Sequence, residues 1–218
     1  MASSTVENYV KRIFLAQQTT ADGLVPVGQL ATIMNVVPGT ATSMVKALSD
    51  SGLAEYAPRT GVRLTRGGEQ LALHVLRRHR LLELFLVKAL GLDWSEVHTE
   101  AEELEHAVSD RVLERIDDFL GHPSVDPHGD PIPSARGKMA EPSAVSLADC
   151  EVKKRLRVSR VADQQPAFLQ LMERSGLIPG ALVRVENRDE VAGAVVVVPG
   201  GDDPVVLGFS AARKVFVE

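Results

Sequence analysis

One cysteine, Cys150, stands in 218 residues. No intrachain disulfide can form, and a lone thiol fits a reducing compartment. Aromatic residues are scarce at 4%, so the core must come from Leu, Val, Ile and Ala, for which a hydrophobic content of 44% is ordinary. No apolar run approaches the roughly 20 residues of a membrane-spanning helix. The longest, "AVVVV" at 194–198, is strand-sized. The opening "MASSTVENYVKRIF" holds no apolar stretch of signal-peptide length. A cytoplasmic protein with no membrane partner is expected. Overall basicity is lacking too: the net charge is −5, which by itself disfavours nucleic acid.

The charge is uneven, however. Residues 1–80 carry nine Lys/Arg against five Asp/Glu, residues 81–150 carry five against fifteen, and residues 151–218 carry ten against nine. A mildly basic front therefore precedes a strongly acidic middle.

The front reads as helices with short breaks. "TVENYVKRIFLAQQ" has Val6, Tyr9, Val10, Ile13 and Phe14 at helical spacing, with Thr5 placed to cap it. "PVGQLATIMN" is a short amphipathic helix. In "VVPGTATSMVKALSDSGL" a Pro-Gly turn leads into a helix with Met44, Val45 and Leu48 on its apolar side and Gly52 at its end. "LAEYAP" and "GVRLT" are short strands joined by "PRTG". Helix, short helix, turn, helix and hairpin is the order of a winged helix-turn-helix. The small polar start "TATS" lets a helix end approach base edges, so Thr40, Thr42 and Ser43 are expected in a DNA groove, with Lys46 and Arg59 on phosphates.

Residues 67–90 form a long amphipathic helix, and "DWSEVHTEAEELEHAVSDRVLERIDDFL" forms one or two more. Their leucines (Leu81, Leu84, Leu86, Leu104, Leu113) exceed the needs of one short core and suggest a homodimer. "GHPSVDPHGDPIPSARGKMAEPS" is dense in turn residues and reads as solvated loop, Asp126 and Asp130 included. Beyond it, "RLRVSRV", "ALVRVE", "AVVVVP", "PVVLGF" and "KVFVE" are strands, with a helix in "QPAFLQLMERSGL". The fold class is mainly α with a β-rich C-terminal module.

The acidic middle holds the notable chemistry. His79 and Glu83 stand four apart on one helix face, and His98, Glu102, Glu105 and His106 fall on another. Imidazole with carboxylate suits a divalent first-row metal. A single pair at this spacing is more often a surface contact than a ligand pair; two such faces packed together could converge on one or two ions. His74, His122 and His128 have no comparable setting. Glu103 with His106 also matches half of a di-iron carboxylate motif, but the other half is missing, so an enzyme is not expected. A winged-helix regulator answering to a non-metal ligand is the other alternative.

The chain resembles the metal-dependent repressors of the diphtheria toxin repressor and manganese transport regulator type. "ENYVKRIF", "RRHRLLELFL", "GLDWSEVHTEAEELEHAVSD" and "GHPSVDPHGDPIP", in that order before the β-rich module, carry the resemblance. It implies a winged helix-turn-helix DNA-binding domain (1–70), a helical metal-binding and dimerisation domain (71–140), a linker (141–152) and an SH3-like (FeoA-like) barrel (153–218). It also implies Mn(II) or Fe(II) as the signal and palindromic double-stranded operator DNA as the partner. By motif, His79, Glu83 and His98 match an ancillary site, and Glu102, Glu105 and His106 a primary site. Glu102 stands where iron-type members have Cys, which favours Mn(II). The first-helix ligand position, usually Met or Asp, holds Asn8, and a second acidic position holds Lys11, which favours two separated sites over a binuclear cluster. In "DQQPAF", Gln164 is the expected ancillary donor from the barrel.

Overall fold

The computed structural model describes residues 3–140, 144–200 and 203–218. The chain divides into two compact units, Met1–Arg78 with Pro133–Met139, and His79–Ile132 with Ala140–Glu218.

The first unit holds α1 (Ser4–Gln17), α2 (Val27–Ile33), α3 (Pro38–Asp50), the hairpin β1 (Ala54–Ala57) and β2 (Gly61–Leu64), and the start of α4 (Arg66–Leu90). This is the expected winged helix-turn-helix order. Two local details differ from the sequence reading. The Ser3 hydroxyl, not Thr5, caps α1, accepting from the Val6 N–H at 3.3 Å. Pro38 and Gly39 belong to the first turn of α3 rather than to a turn before it, because proline's missing N–H costs nothing at that position. Tyr9, Val10, Ile13, Leu30, Val45, Leu48 and Val62 form the core. Val25 adds a bridge to Val62 of the wing. Glu7 and Arg78 are buried as a pair at 3.1 Å, and Lys11 is buried in α1.

The second unit has two cores. Around α5 (Val97–Leu104) and α6 (Asp110–Leu120), residues Leu81, Leu82, Leu84, Leu86, Val97, Leu113 and Ile116 pack together. Four of the five leucines expected to serve a dimer seam are thus consumed within the chain. Leu90, Leu104, Val112 and Phe119 are exposed in this region instead. The barrel comprises β3 (Val145–Ser146), β4 (Arg155–Val161), α7 (Pro166–Arg174), β5 (Leu182–Asp189), β6 (Ala194–Pro199), β7 (Val205–Gly208), α8 (Phe209–Ala212) and β8 (Val215–Val217). Its strands run in the order β3-β8-β4-β5-β6-β7, every neighbouring pair antiparallel. Strict alternation along β6 sends Val195, Val197 and Pro199 inward. Within the stretch read as linker, β3, Leu147 and Cys150 pack into this barrel, and residues 141–143 lie outside the described residues. Among the described residues no helix is long and apolar enough to cross a membrane.

Candidate metal centre

α4 brings His79 and Glu83 to one face on successive turns, and α5 presents His98 to them. His79 Nε2 lies 3.0 Å from Glu83 Oε1 and 3.1 Å from His98 Nδ1, and His98 Nδ1 lies 3.0 Å from Glu83 Oε1. Three donor atoms therefore form a nearly equilateral triangle. Adjacent ligands of an octahedral cation with bonds of about 2.1 Å stand about 3.0 Å apart. The triangle is one face of such an octahedron, and the residues fit a divalent ion. His79 and Glu83 are buried, so the set is dry on the helix side.

Glu105 stands behind His79. Its Oε2 is 2.8 Å from His79 Nδ1, and its Oε1 is 3.3 Å from His106 Nε2. Glu105 is completely buried. A carboxylate at Nδ1 makes that nitrogen the N–H donor and leaves the Nε2 lone pair facing the triangle. Glu102 is more exposed, with Oε1 3.6 Å from His98 Nε2. The single helical face expected for His98 to His106 does not persist: α5 ends at Leu104, Glu105 is its C-cap, and His106 lies in the following turn. That ending aims Glu105 inward while Glu103 faces solvent.

Asn8 is half-buried on α1 in the first unit. Gln164, just before α7, donates from Nε2 to Asp130 Oδ2 at 3.0 Å.

Two residues missed by sequence reasoning join the cluster. His128 and Asp126, read as incidental and solvated, are both buried. Asp126 Oδ1 accepts from the backbone N–H groups of His128 at 2.8 Å and Asp130 at 2.9 Å. This Asx-type turn folds "DPHGD" inward, and the Asp two residues before His-Gly was the available signal. His128 Nδ1 faces Glu83 Oε2 at 3.8 Å. Gly129 makes the turn possible, with φ of +86°, and a Cβ there would lie 1.9 Å from the Ser159 carbonyl oxygen. Gly129→Ala is expected to destabilise the protein by about 3 kcal/mol or more, read as a lowered thermal midpoint.

The electrostatics match the geometry. Burial pulls the Glu83 carboxyl upward, but the His79 charge and the surrounding His128, His79 and His98 side chains hold it well below the usual carboxylate range. Asp126 is pushed up to about 7 by burial, then by the charges of Asp130 and Glu83. Burial works to lower the His128 pKa, yet Glu83 and Asp126 raise it to about 9. A cation would compete with protons for these ligand atoms.

In the first unit, Thr40, Ser43 and Lys46 are exposed on α3, Thr42 is half-exposed, and Arg59 is exposed in the hairpin loop. The hydroxyls of Thr42 and Ser43 donate to the carbonyls of Pro38 at 2.8 Å and Gly39 at 3.0 Å. Their hydrogens are thus engaged within the helix, and the oxygens retain accepting capacity.

Three family models match the chain: the iron dependent repressor N-terminal DNA binding domain over residues 1–62, the iron dependent repressor metal binding and dimerisation domain over 65–134, and the FeoA domain over 145–218. The iron-dependent repressor IdeR of Mycobacterium leprae (strain TN) is 31% identical over 231 residues, covering 98% of this chain and 96% of the relative. A solved manganese-dependent transcriptional repressor in complex with manganese superposes with a TM-score of 0.89 at 41% identity, covering 97% of this chain and 98% of that one. The manganese regulator SloR superposes with a TM-score of 0.78 at 32% identity, covering 98% and 97%.

Proposed function

The chain belongs to the iron-dependent repressor family, whose members are metal-dependent DNA-binding transcriptional repressors rather than enzymes, and on that premise we propose that His79, Glu83 and His98 hold the Mn(II) or Fe(II) that activates operator binding. The observation that carries this reading is the 3.0–3.1 Å triangle of His79 Nε2, His98 Nδ1 and Glu83 Oε1. A bound divalent ion supplies the positive charge that this buried, carboxylate-rich set calls for. Glu105 fixes the His79 ring and joins it to His106, so the two ligand sets of the resemblance share this carboxylate. Oxygen and imidazole donors without thiolate favour Mn(II) over Fe(II). Comparing Mn(II) binding by calorimetry in the parent and in His98→Ala tests the assignment. The variant is expected to lose the tightest binding event, and unchanged binding would refute it.

The family acts on operator DNA through a dimer. The finer reading is a palindromic operator, because a two-fold dimer presents two α3 helices to matching half-sites. The site of action is then the cytoplasm, where the chromosome lies. Val112 and Phe119, seven apart on α6 and both exposed, are assigned to the dimer face. Phe119→Glu is expected to shift the protein to monomer at micromolar concentration in light scattering, and an unchanged mass would move the interface elsewhere. Lys46 is assigned to a phosphate. Lys46→Ala is expected to weaken DNA binding evenly across sequences and to reduce the salt dependence by about one counterion.

A further inference from the structure

We propose that Asp130 is a positioning residue that fastens the C-terminal barrel to α4, so that barrel docking tightens Mn(II) binding at His79, Glu83 and His98 without a barrel side chain ligating the ion. This deepens the functional reading above and rests on it. Asp130 is buried, and side chains from the barrel and from α4 converge on its carboxylate. From the barrel, Arg160 Nη1 donates to Oδ1 at 3.1 Å and Gln164 Nε2 donates to Oδ2 at 3.0 Å. From α4, Arg80 Nη2 stands 3.7 Å from Oδ1. Arg80 directly follows His79 in the chain. Its Nε also faces Asp126 Oδ2 at 3.6 Å, and its Nη1 donates to the Pro131 carbonyl.

The barrel is shaped for this contact. The register of β4 against β8 slips between Val158 and Arg160, which leaves Ser159 as a bulge. A bulge re-aims the side chains beside it. Arg160 lies over the Phe216 ring, 4.3 Å from its centroid, with its guanidinium directed to Asp130. The Ser159 carbonyl lies against Gly129, where a Cβ has no room. The Val161 N–H donates to the His128 carbonyl at 2.8 Å. Two bonds close the turn itself: the Asp130 N–H donates to Asp126 Oδ1 at 2.9 Å, and the Asp126 N–H donates to the Asp130 carbonyl at 3.0 Å. Asp130 therefore holds a closed turn against β4. The same turn backs the metal centre, since the His128 ring stands 3.8 Å from Glu83 Oε2. Ligands already fixed in place pay less ordering cost when an ion binds. The barrel thus acts through the Gln164 amide and the Arg160 guanidinium on Asp130, and Asp130 acts on α4.

The test titrates the metal-free full chain with Mn(II) by calorimetry and follows hydrogen exchange of the β4 segment holding Val161, whose N–H crosses from barrel to turn. Asp130→Asn keeps the shape and removes the charge. Arg160→Met keeps a stem over Phe216 and removes the donors, and it stands as the second variant should Asp130→Asn fail to fold. Both are expected to bind as many ions per chain as the parent, with affinity lowered about 2- to 30-fold, the range for residues that couple a site without touching its ligand. Arg160→Lys, which keeps a donor, is expected to fall between parent and Arg160→Met. The double variant is expected to be no weaker than the weaker single, because both remove one interaction. Coupling is reciprocal, so Mn(II) is expected to slow Val161 exchange in the parent and to do so less in Arg160→Met. A residue that only stabilised the fold would leave that metal-dependent difference in place. Parent-like affinity in Arg160→Met, or Val161 exchange that Mn(II) leaves unchanged in the parent, would overturn the coupling. Loss of an ion per chain in Asp130→Asn would also overturn it, by making Asp130 a ligand. If His98→Ala loses tight binding while Arg160→Met keeps it, the coupling fails and the functional reading stands. If His98→Ala binds like the parent, both fail.

Discussion

Glu83→Gln is expected to raise the Mn(II) concentration required for DNA binding by about 100-fold or more. The Glu83 carboxylate lies 3.0 Å from both His79 and His98, and it is fully buried. An amide of the same shape keeps a dipole but no charge, and it can turn its NH2 group toward the two ring nitrogens. Loss of a supporting partner already costs about 10–100-fold in metal affinity, and a direct ligand costs at least as much. The isosteric change leaves the packing of α4 intact, so the metal-free chain should still give a cooperative melt. Calorimetric Mn(II) titration with fluorescence anisotropy on DNA checks both halves. Parent-like metal affinity in Glu83→Gln would remove Glu83 from the centre.

Glu105→Ala is expected to weaken Mn(II) binding by about 10–100-fold, because His79 loses the acceptor that fixes its tautomer and ring orientation. The contact is 2.8 Å from His79 Nδ1, in a fully buried setting. Glu105→Gln should be milder, since an amide oxygen can still accept from Nδ1–H. Stoichiometry separates the two roles open to Glu105. An orienting residue leaves the number of ions per chain unchanged and lowers affinity, whereas a direct ligand takes an equivalent with it. The resemblance ranks His79 as ancillary to His106. His79 meets Glu83, His98 and Glu105 together, and on that ground we propose the opposite order. His79→Ala is therefore expected to lose at least as much activation as His106→Ala.

Periodicity made much of this legible. The spacing of Val6, Val10, Ile13 and Phe14 placed α1, and alternation in "AVVVVP" placed β6, because helices and strands bury one face at fixed periods. The spacing His79 to Glu83 likewise placed one side of the triangle. Three things did not read out. Composition suggests solvent for "DPHGD", yet side-chain-to-backbone bonds from Asp126 turn it inward, and no periodic signal marks such a turn. Helical spacing predicts one face from His98 to His106, but α5 stops at Leu104, and the turn after it decides where Glu105 points. The leucines of α4 and α6 looked surplus because a sequence shows how many apolar residues exist, not that Val97, Ala101 and Ile132 come to meet them.

The most direct test of metal-dependent operator binding is the affinity of the full chain for a duplex selected by it from a random pool in Mn(II). Anisotropy is then measured with Mn(II), with Fe(II) under anaerobic conditions, and with chelator alone. The expected result is binding tightened about 5- to 150-fold by metal over chelator, the range of a 1–3 kcal/mol coupling between ligands, with Mn(II) the stronger activator. Equal affinity with metal and with chelator would contradict it.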